Sequence, residues 1–305
     1  MFNRRMFLAI TASIMALLPL AAFAQDKLPV VATFSILGDI VAEVGGDRVA
    51  VTTLVGPDGD AHVYEPTPAD AKALSEAAVL FTNGLGFEGW IDRLIEASEY
   101  KGPIIVATTG VTPREMAEAG HEGEAVGAHD HSTDPHAWQS LANGRLYVAN
   151  VTAGLIAADP AGADAYTANS TAYLAELDTV EADLIAAIAA LPEANRVIVT
   201  SHDAFGYFGQ TYGMRFLAPE GLSTEAEASA SDVAALITQI KAEGIPAVFM
   251  ENITDSRLLE QITSETGAKI GGTLFSDALS PADGPASTYL DMMRHNIATL
   301  TAALK

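Results

Sequence analysis

The chain reads as an α/β protein of two doubly wound lobes, each a small parallel sheet flanked by helices, joined by one long helix with a cleft between the lobes. Three observations predict this. Short Val- and Ile-rich runs bounded by Gly or Pro alternate with helical patterns. The alternation comes in two sets, and strand–helix alternation yields parallel sheets with helices on both faces. Between the sets lies a stretch that is almost purely helical. At 305 residues, 49% of them hydrophobic, the chain has material for two cores of ordinary size.

The first 24 residues are expected to be a signal peptide outside the fold. Arg4 and Arg5 precede an apolar run from Met6 to Ala22. Ala22-Phe23-Ala24 offers a small-x-small cleavage site, so Gln25 should open the mature chain. Pro19 and the cleavage motif argue against a membrane anchor. Arg4-Arg5-Met6-Phe7-Leu8 also fits a twin-arginine leader, and that route and general secretion both stay open. The expected destination is the periplasm.

Residues 25–160 are assigned to an N-terminal lobe. Val30–Phe34, Val49–Val55, Val79–Asn83 and Ile104–Ala107 read as its buried strands, with helical patterns at Pro68–Ala78 and Glu88–Glu99. Gly110–Thr133 is rich in Gly, Ala, Glu and His without apolar periodicity and reads as a surface loop. Asn143–Ala158 is a helix broken at Asp159-Pro160. Residues 161–191 then form one linking helix, about 45 Å long at 1.5 Å per residue, started near Pro160 and stopped by Pro192. The alternative is two helices with a break near Asn169-Ser170. Residues 192–305 make the C-terminal lobe. Its strands are Val197–Ser201, Met214–Ala218, Ala247–Glu251 and Lys269–Leu274, and its helices Ser229–Glu243, Asp255–Thr266 and Pro285–Leu304.

Charge and cysteine content narrow the function. Acidic residues outnumber basic ones 39 to 16, for a formal net charge of −23. That excludes nucleic acid and an anionic membrane surface as partners, since both require basic patches. There is no cysteine, which excludes disulfides, thiolate ligands and a lipid-anchored N-terminus. A tight metal site must therefore use His, Asp or Glu. After the leader, no stretch of about 18 uncharged apolar residues occurs, so no membrane insertion is expected. The chain is expected to act as a monomer.

Four residues, two in each lobe, are candidates that a cleft between the lobes would collect; His202 and Asp277 lie near the carboxyl ends of strands, where ligands bind in open α/β sheets. His62 lies in a loop after a strand. His136 lies in Asp134-Pro135-His136-Ala137-Trp138, at the exit of the Gly110–Thr133 loop. His202 follows a strand, and Asp277 sits just past the last strand. Three imidazoles and a carboxylate make a nitrogen/oxygen set suited to zinc. No short spacing links them, and on the residues alone a histidine in a loop is more often a surface or hydrogen-bonded side chain than a ligand.

The flanking segments are more specific. Val30-Val31-Ala32-Thr33-Phe34-Ser35, His62-Val63-Tyr64-Glu65-Pro66-Thr67-Pro68, Thr82-Asn83-Gly84, Asp134-Pro135-His136-Ala137-Trp138, Ser201-His202-Asp203-Ala204-Phe205-Gly206-Tyr207-Phe208 and Ser276-Asp277-Ala278-Leu279-Ser280 resemble, in order, the signature segments of the metal-specific solute-binding proteins of ABC transporters. The resemblance covers essentially the whole mature chain. It implies a metal held between two α/β lobes on a rigid long helix, by His62, His136, His202 and Asp277, and delivered to a membrane permease. Manganese members of the family place a glutamate where this chain has His202. An imidazole in place of a hard carboxylate favours Zn2+ over Mn2+, with a manganese receptor of the same family as the alternative. Ser223-Thr224-Glu225, Asp283-Gly284-Pro285-Ala286-Ser287 and Met292-Met293-Arg294-His295-Asn296 are similar to the AztC-type zinc proteins of that family.

The loop contributes His121, His129 and His131 beside Glu122, Glu124 and Asp130. It reads as an accessory zinc trap that feeds the cleft or docks a periplasmic zinc chaperone, or as a merely solvated loop. Glu65, Asn83, Asp134, Glu225 and Glu251 are candidates to accept the second N–H of a liganding imidazole, or else are solvated residues and caps. His295 reads as structural or surface. Zinc affinity is expected to fall as pH drops through about 6.5, the ordinary imidazole value. An enzyme is the competing class: three histidines and a water on zinc, with Asp277 as general base, would make a hydrolase or hydratase. No G-x-S-x-G, H-E-x-x-H or Walker loop is present to support it. A surface adhesin is a third class, weakened by the absence of repeats. A non-enzymatic zinc receptor is therefore expected.

Overall fold

The computed structural model describes residues 26–115 and 133–305. The expected leader and His121, His129 and His131 lie outside them. The N-terminal lobe opens with β1 (Leu28–Phe34), which passes without a loop into α1 (Ser35–Gly45). From Ile36 the apolar residues fall at Ile36, Leu37, Ile40, Val41 and Val44, a helical stripe, and all five are buried. The sequence reading missed α1 because the strand's continuous apolar run hides where the period changes. Gly46 ends the helix with φ +54°, a conformation that other residues adopt only under strain.

β2 (Val49–Val55), α2 (Pro68–Glu76), β3 (Val79–Thr82), α3 (Ile91–Ala97) and β4 (Ile104–Val106) complete the sheet, in parallel order β2-β1-β3-β4. α2 starts where Thr67 accepts from the Asp70 N–H while the Asp70 carboxylate accepts from the Thr67 N–H, with Pro68 in the first turn. The loop from β2 to α2 carries His62.

α4 (Leu141–Ala158) and α5 (Ala163–Ala189) follow, separated by a 3₁₀ turn at Pro160–Gly162. α5 is one helix of 27 residues, about 40 Å long, with no break at Asn169-Ser170. It is shorter than 161–191 because that turn takes its first residues and Pro192 frees its last. Its buried residues (Tyr166, Ser170, Tyr173, Leu177, Val180, Leu184, Ile188) recur every three or four positions. They pack α5 on α1 and α4 of the first lobe and on α9 of the second.

The C-terminal lobe repeats the topology. β5 (Val197–Val199), α6 (Gly206–Tyr212), β6 (Arg215–Leu217), α7 (Ala230–Glu243), β7 (Ala247–Glu251), α8 (Arg257–Thr266), β8 (Lys269–Leu274) and α9 (Tyr289–Leu304) form a parallel sheet of order β6-β5-β7-β8. α6 was not anticipated, being two turns long and studded with Gly206 and Gly209. α9 starts four residues later than the sequence suggests, because the Thr288 hydroxyl accepts from the Asp291 N–H and fixes the helix start there.

One apolar core spans both lobes, including Trp138, Leu141, Phe275 and Tyr289 at their junction, while a smaller cluster around Val248, Leu259 and Ile262 lies under the second sheet. Polar links tie the lobes as well. The Ser35 hydroxyl accepts from the Leu279 N–H and the Asp39 carboxylate from the Tyr289 N–H. Among the described residues no helix is long and apolar enough to cross a membrane.

Candidate metal centre

Each sheet reverses its strand order beside its first strand, and the side chains beyond the strand ends there meet between the lobes. The His62 loop is pinned by the indole N–H of Trp90, which donates to the Ala61 carbonyl at 2.8 Å, and by the His62 N–H, which donates to Asp60. His136 is fully buried in the turn before α4. His202 lies three residues past β5. The strand ends at Val199, short of the expected Ser201, because the backbone N–H groups of Ser201 and His202 turn to the Glu251 carboxylate, at 2.7 and 2.9 Å. Asp277 follows β8. The Asn296 side chain clamps the backbone of Phe275, and the Ser276 carbonyl accepts from Trp138 and Gln139.

The result is a tight convergence. One potential ligand atom from each of His62, His136, His202 and Asp277 lies within 4.8 Å of the others, and all four residues are buried. Asp277 Oδ2 is 3.1 Å from His62 Nε2, 3.1 Å from His202 Nε2 and 3.5 Å from His136 Nε2. Asp277 Oδ1 is buried without a hydrogen-bond partner among the described residues, a lone-pair donor left over for a ligand. The walls are aromatic: Phe87 stands edge-on to His62, and Trp138 edge-on to His136.

Two carboxylates hold the outer nitrogens, as in ligand imidazoles generally. Asp134 Oδ1 lies 2.8 Å from His136 Nδ1 and also accepts from the His136 backbone N–H. Glu251 Oε2 lies 2.6 Å from His202 Nδ1, an ion-pair contact in which neither atom makes a hydrogen bond among the described residues. Asn83 makes no hydrogen bond to an imidazole among the described residues. Its amide donates to the Pro135 carbonyl, which steadies the segment that presents His136. Glu65 is exposed and does not hold the cluster. Glu225 is exposed too, on the rim of a cavity of about 260 Å³ that opens onto His62. Glu65 was proposed for its nearness to His62 in the chain, and its exposed side chain shows that nearness in sequence misled there. His295 is remote from the cluster and packs on Phe275.

Sequence reasoning missed Glu88. It is buried beneath the site, and its carboxylate accepts from the Thr33 hydroxyl and the N–H groups of Asn83 and Gly84, joining the ends of β1 and β3. Burial raises its pKa, against those hydrogen bonds. Its position at the start of a helical pattern gave no hint of this role.

The cluster is strongly polarised. Burial pushes the His136 pKa down, but Asp277 and Asp134 reverse this and lift it to about 9. His202 is likewise disfavoured as a cation by burial, yet Glu251 and Asp277 raise it well above the ordinary imidazole value. Burial opposes the Asp277 anion, and His136 and His202 overcome this and hold its pKa well below the carboxylate range. Such a site attracts positive charge to the place where the inner nitrogens meet.

Two α/β lobes on a long shared helix, with three imidazoles and a carboxylate buried where they meet, define the metal-specific solute-binding proteins of ABC importers. The chain belongs to that family: the family model described as zinc-uptake complex component A, periplasmic, matches residues 30–303. The chain is 33% identical over 280 residues to the manganese-binding lipoprotein MntA of Halalkalibacterium halodurans, covering 92% of this chain and 89% of that one. It is 32% identical over 274 residues to the iron-binding protein YfeA of Yersinia pestis, covering 90% and 85%. The periplasmic zinc-binding protein TroA from Treponema pallidum superposes with a TM-score of 0.83 at 30% identity, over 91% of this chain and 99% of that one. The Mn-bound periplasmic metal-binding protein from Candidatus Liberibacter asiaticus does so with 0.80 at 32% identity, over 90% and 99%.

Proposed function

We propose that this chain is a periplasmic zinc receptor that holds one Zn2+ on His62, His136, His202 and Asp277 and passes it to the permease of an ABC importer. The observation that carries the reading is the convergence of four buried donor atoms within 4.8 Å. Three imidazole nitrogens and one carboxylate suit zinc better than manganese, which prefers an oxygen-rich shell. Four protein donors also leave no open position for an activated water, which a hydrolytic zinc requires. Relatives named for manganese and iron favour a second reading, in which the cargo is manganese. The leader read from the sequence at residues 1–24 supports a periplasmic site of action. His121, His129 and His131 supply a weaker capture site ahead of the cleft, or a contact for a zinc chaperone.

Metal analysis of protein purified without added metal, followed by competition of zinc against manganese, tests the assignment. One zinc per chain, not displaced by excess manganese, is expected. Preferential retention of manganese would transfer the assignment to the second reading.

A further inference from the structure

Arg114 has no part in the reading so far, yet it stands directly behind His136. Its Nη1 donates to Asp134 Oδ2 at 2.7 Å, while Asp134 Oδ1 faces His136 Nδ1 at 2.8 Å. The Asp134 side chain is fully buried and that of Arg114 mostly so. A carboxylate gripped at both oxygens cannot rotate, so its plane, and with it the imidazole, is fixed. With Oδ2 released, Asp134 could turn and His136 would lose its orientation.

The C-terminal lobe builds the seat for this arginine. The Tyr207 hydroxyl accepts from the Arg114 backbone N–H at 2.9 Å and donates to the Asp134 carbonyl at 3.2 Å. A Cβ on Gly206 would stand 2.0 Å from Arg114 Nη1 and 2.6 Å from Asp134 Oδ2, so any larger residue at the start of α6 would push the guanidinium or the buried carboxylate aside. Arg114, Asp134 and His136 come from one lobe, Gly206 and Tyr207 from the other.

Resting on the four-ligand reading above, we propose that Arg114 is a positioning residue for His136, seated by α6, so that this ligand is correctly aimed only when the two lobes are packed together. Loss of an outer partner of this kind costs about 10–100-fold in metal affinity.

The test compares Arg114→Met, Arg114→Lys, Gly206→Ala and His136→Ala by zinc competition titration and by the visible spectrum of the Co2+-loaded protein. Arg114→Met and Gly206→Ala should each weaken zinc about 10–100-fold and shift the cobalt bands, and Arg114→Lys should recover most of the affinity. A merely structural arginine would lower the melting temperature and leave the cobalt spectrum as it was. Gly206→Ala removes no charge and carries the test alone should Arg114→Met fail to fold. If His136→Ala loses tight zinc while Arg114→Met and Gly206→Ala bind as the unaltered chain does, the positioning role is overturned and the four-ligand reading stands. If His136→Ala itself binds zinc as tightly as before, both fall.

Discussion

At His136 two forces oppose each other, and their balance sets the chemistry of the site. Burial disfavours the charged ring, but Asp277 and Asp134 outweigh it and raise the pKa to about 9. The ordinary value near 6.5 would have placed proton competition lower, and the carboxylate neighbours move it upward. The sign follows from linkage. Below about pH 6.5 both folded and unfolded chains hold this proton and the stabilisation is complete; it is lost as pH rises through about 9. The melting temperature of metal-free protein should therefore fall between these limits, and a flat profile would contradict the polarised cluster. Zinc must displace the same protons, so its apparent affinity should rise with pH up to about 9. Calorimetry in two buffers of different ionisation enthalpy should register proton release at neutral pH.

His202→Glu should shift the zinc/manganese preference toward manganese by replacing a nitrogen with a hard oxygen. Competition titration giving the same ratio as the unaltered chain would remove that argument for zinc. The four converging residues were legible because each sits in a segment resembling a known signature. Of the carboxylates behind them, Asp134 stands two residues from a ligand and Glu251 at a strand end, so both could be proposed. Arg114 could not, because nothing in the order of residues says that its guanidinium folds back onto Asp134.

At the scale of elements, α5 carries the architecture. Its buried stripe contacts both lobes, so shortening one side chain there should loosen both. Leu177→Ala should cost about 2–5 kcal/mol, as a cavity in a closely packed core does, measured by denaturant unfolding. A cost below about 1 kcal/mol would mean that the helix is not packed as described. Deleting Gly120 to Ser132 should leave one tight site intact and slow zinc capture at low concentration; loss of tight binding would refute an accessory role. Strands bounded by Gly or Pro were readable almost to the residue, as β2, β7 and β8 show. α1 was not, because it begins where an apolar strand ends, and α6 was not, because two turns are too short for a period to declare itself.

At the scale of the molecule, the shared core and the uninterrupted helix argue for lobes that do not swing widely. Trp138 donates across to the Ser276 carbonyl, and Tyr289 reaches back to the Trp138 carbonyl, so opening the cleft would break buried contacts between the lobes. Small-angle scattering should show little change in the radius of gyration on adding zinc. A large contraction would point to hinged lobes. The same rigidity makes the cation site depend on the whole fold, since its four donors are brought together from loops far apart in the chain.

X-ray absorption at the zinc edge of the loaded protein tests that convergence most directly. Three imidazole nitrogens and one carboxylate oxygen at about 2.0–2.1 Å, with one imidazole lost in each of His62→Ala, His136→Ala and His202→Ala, is the result expected. A shell with fewer than three imidazoles, or one unchanged by those substitutions, would contradict it.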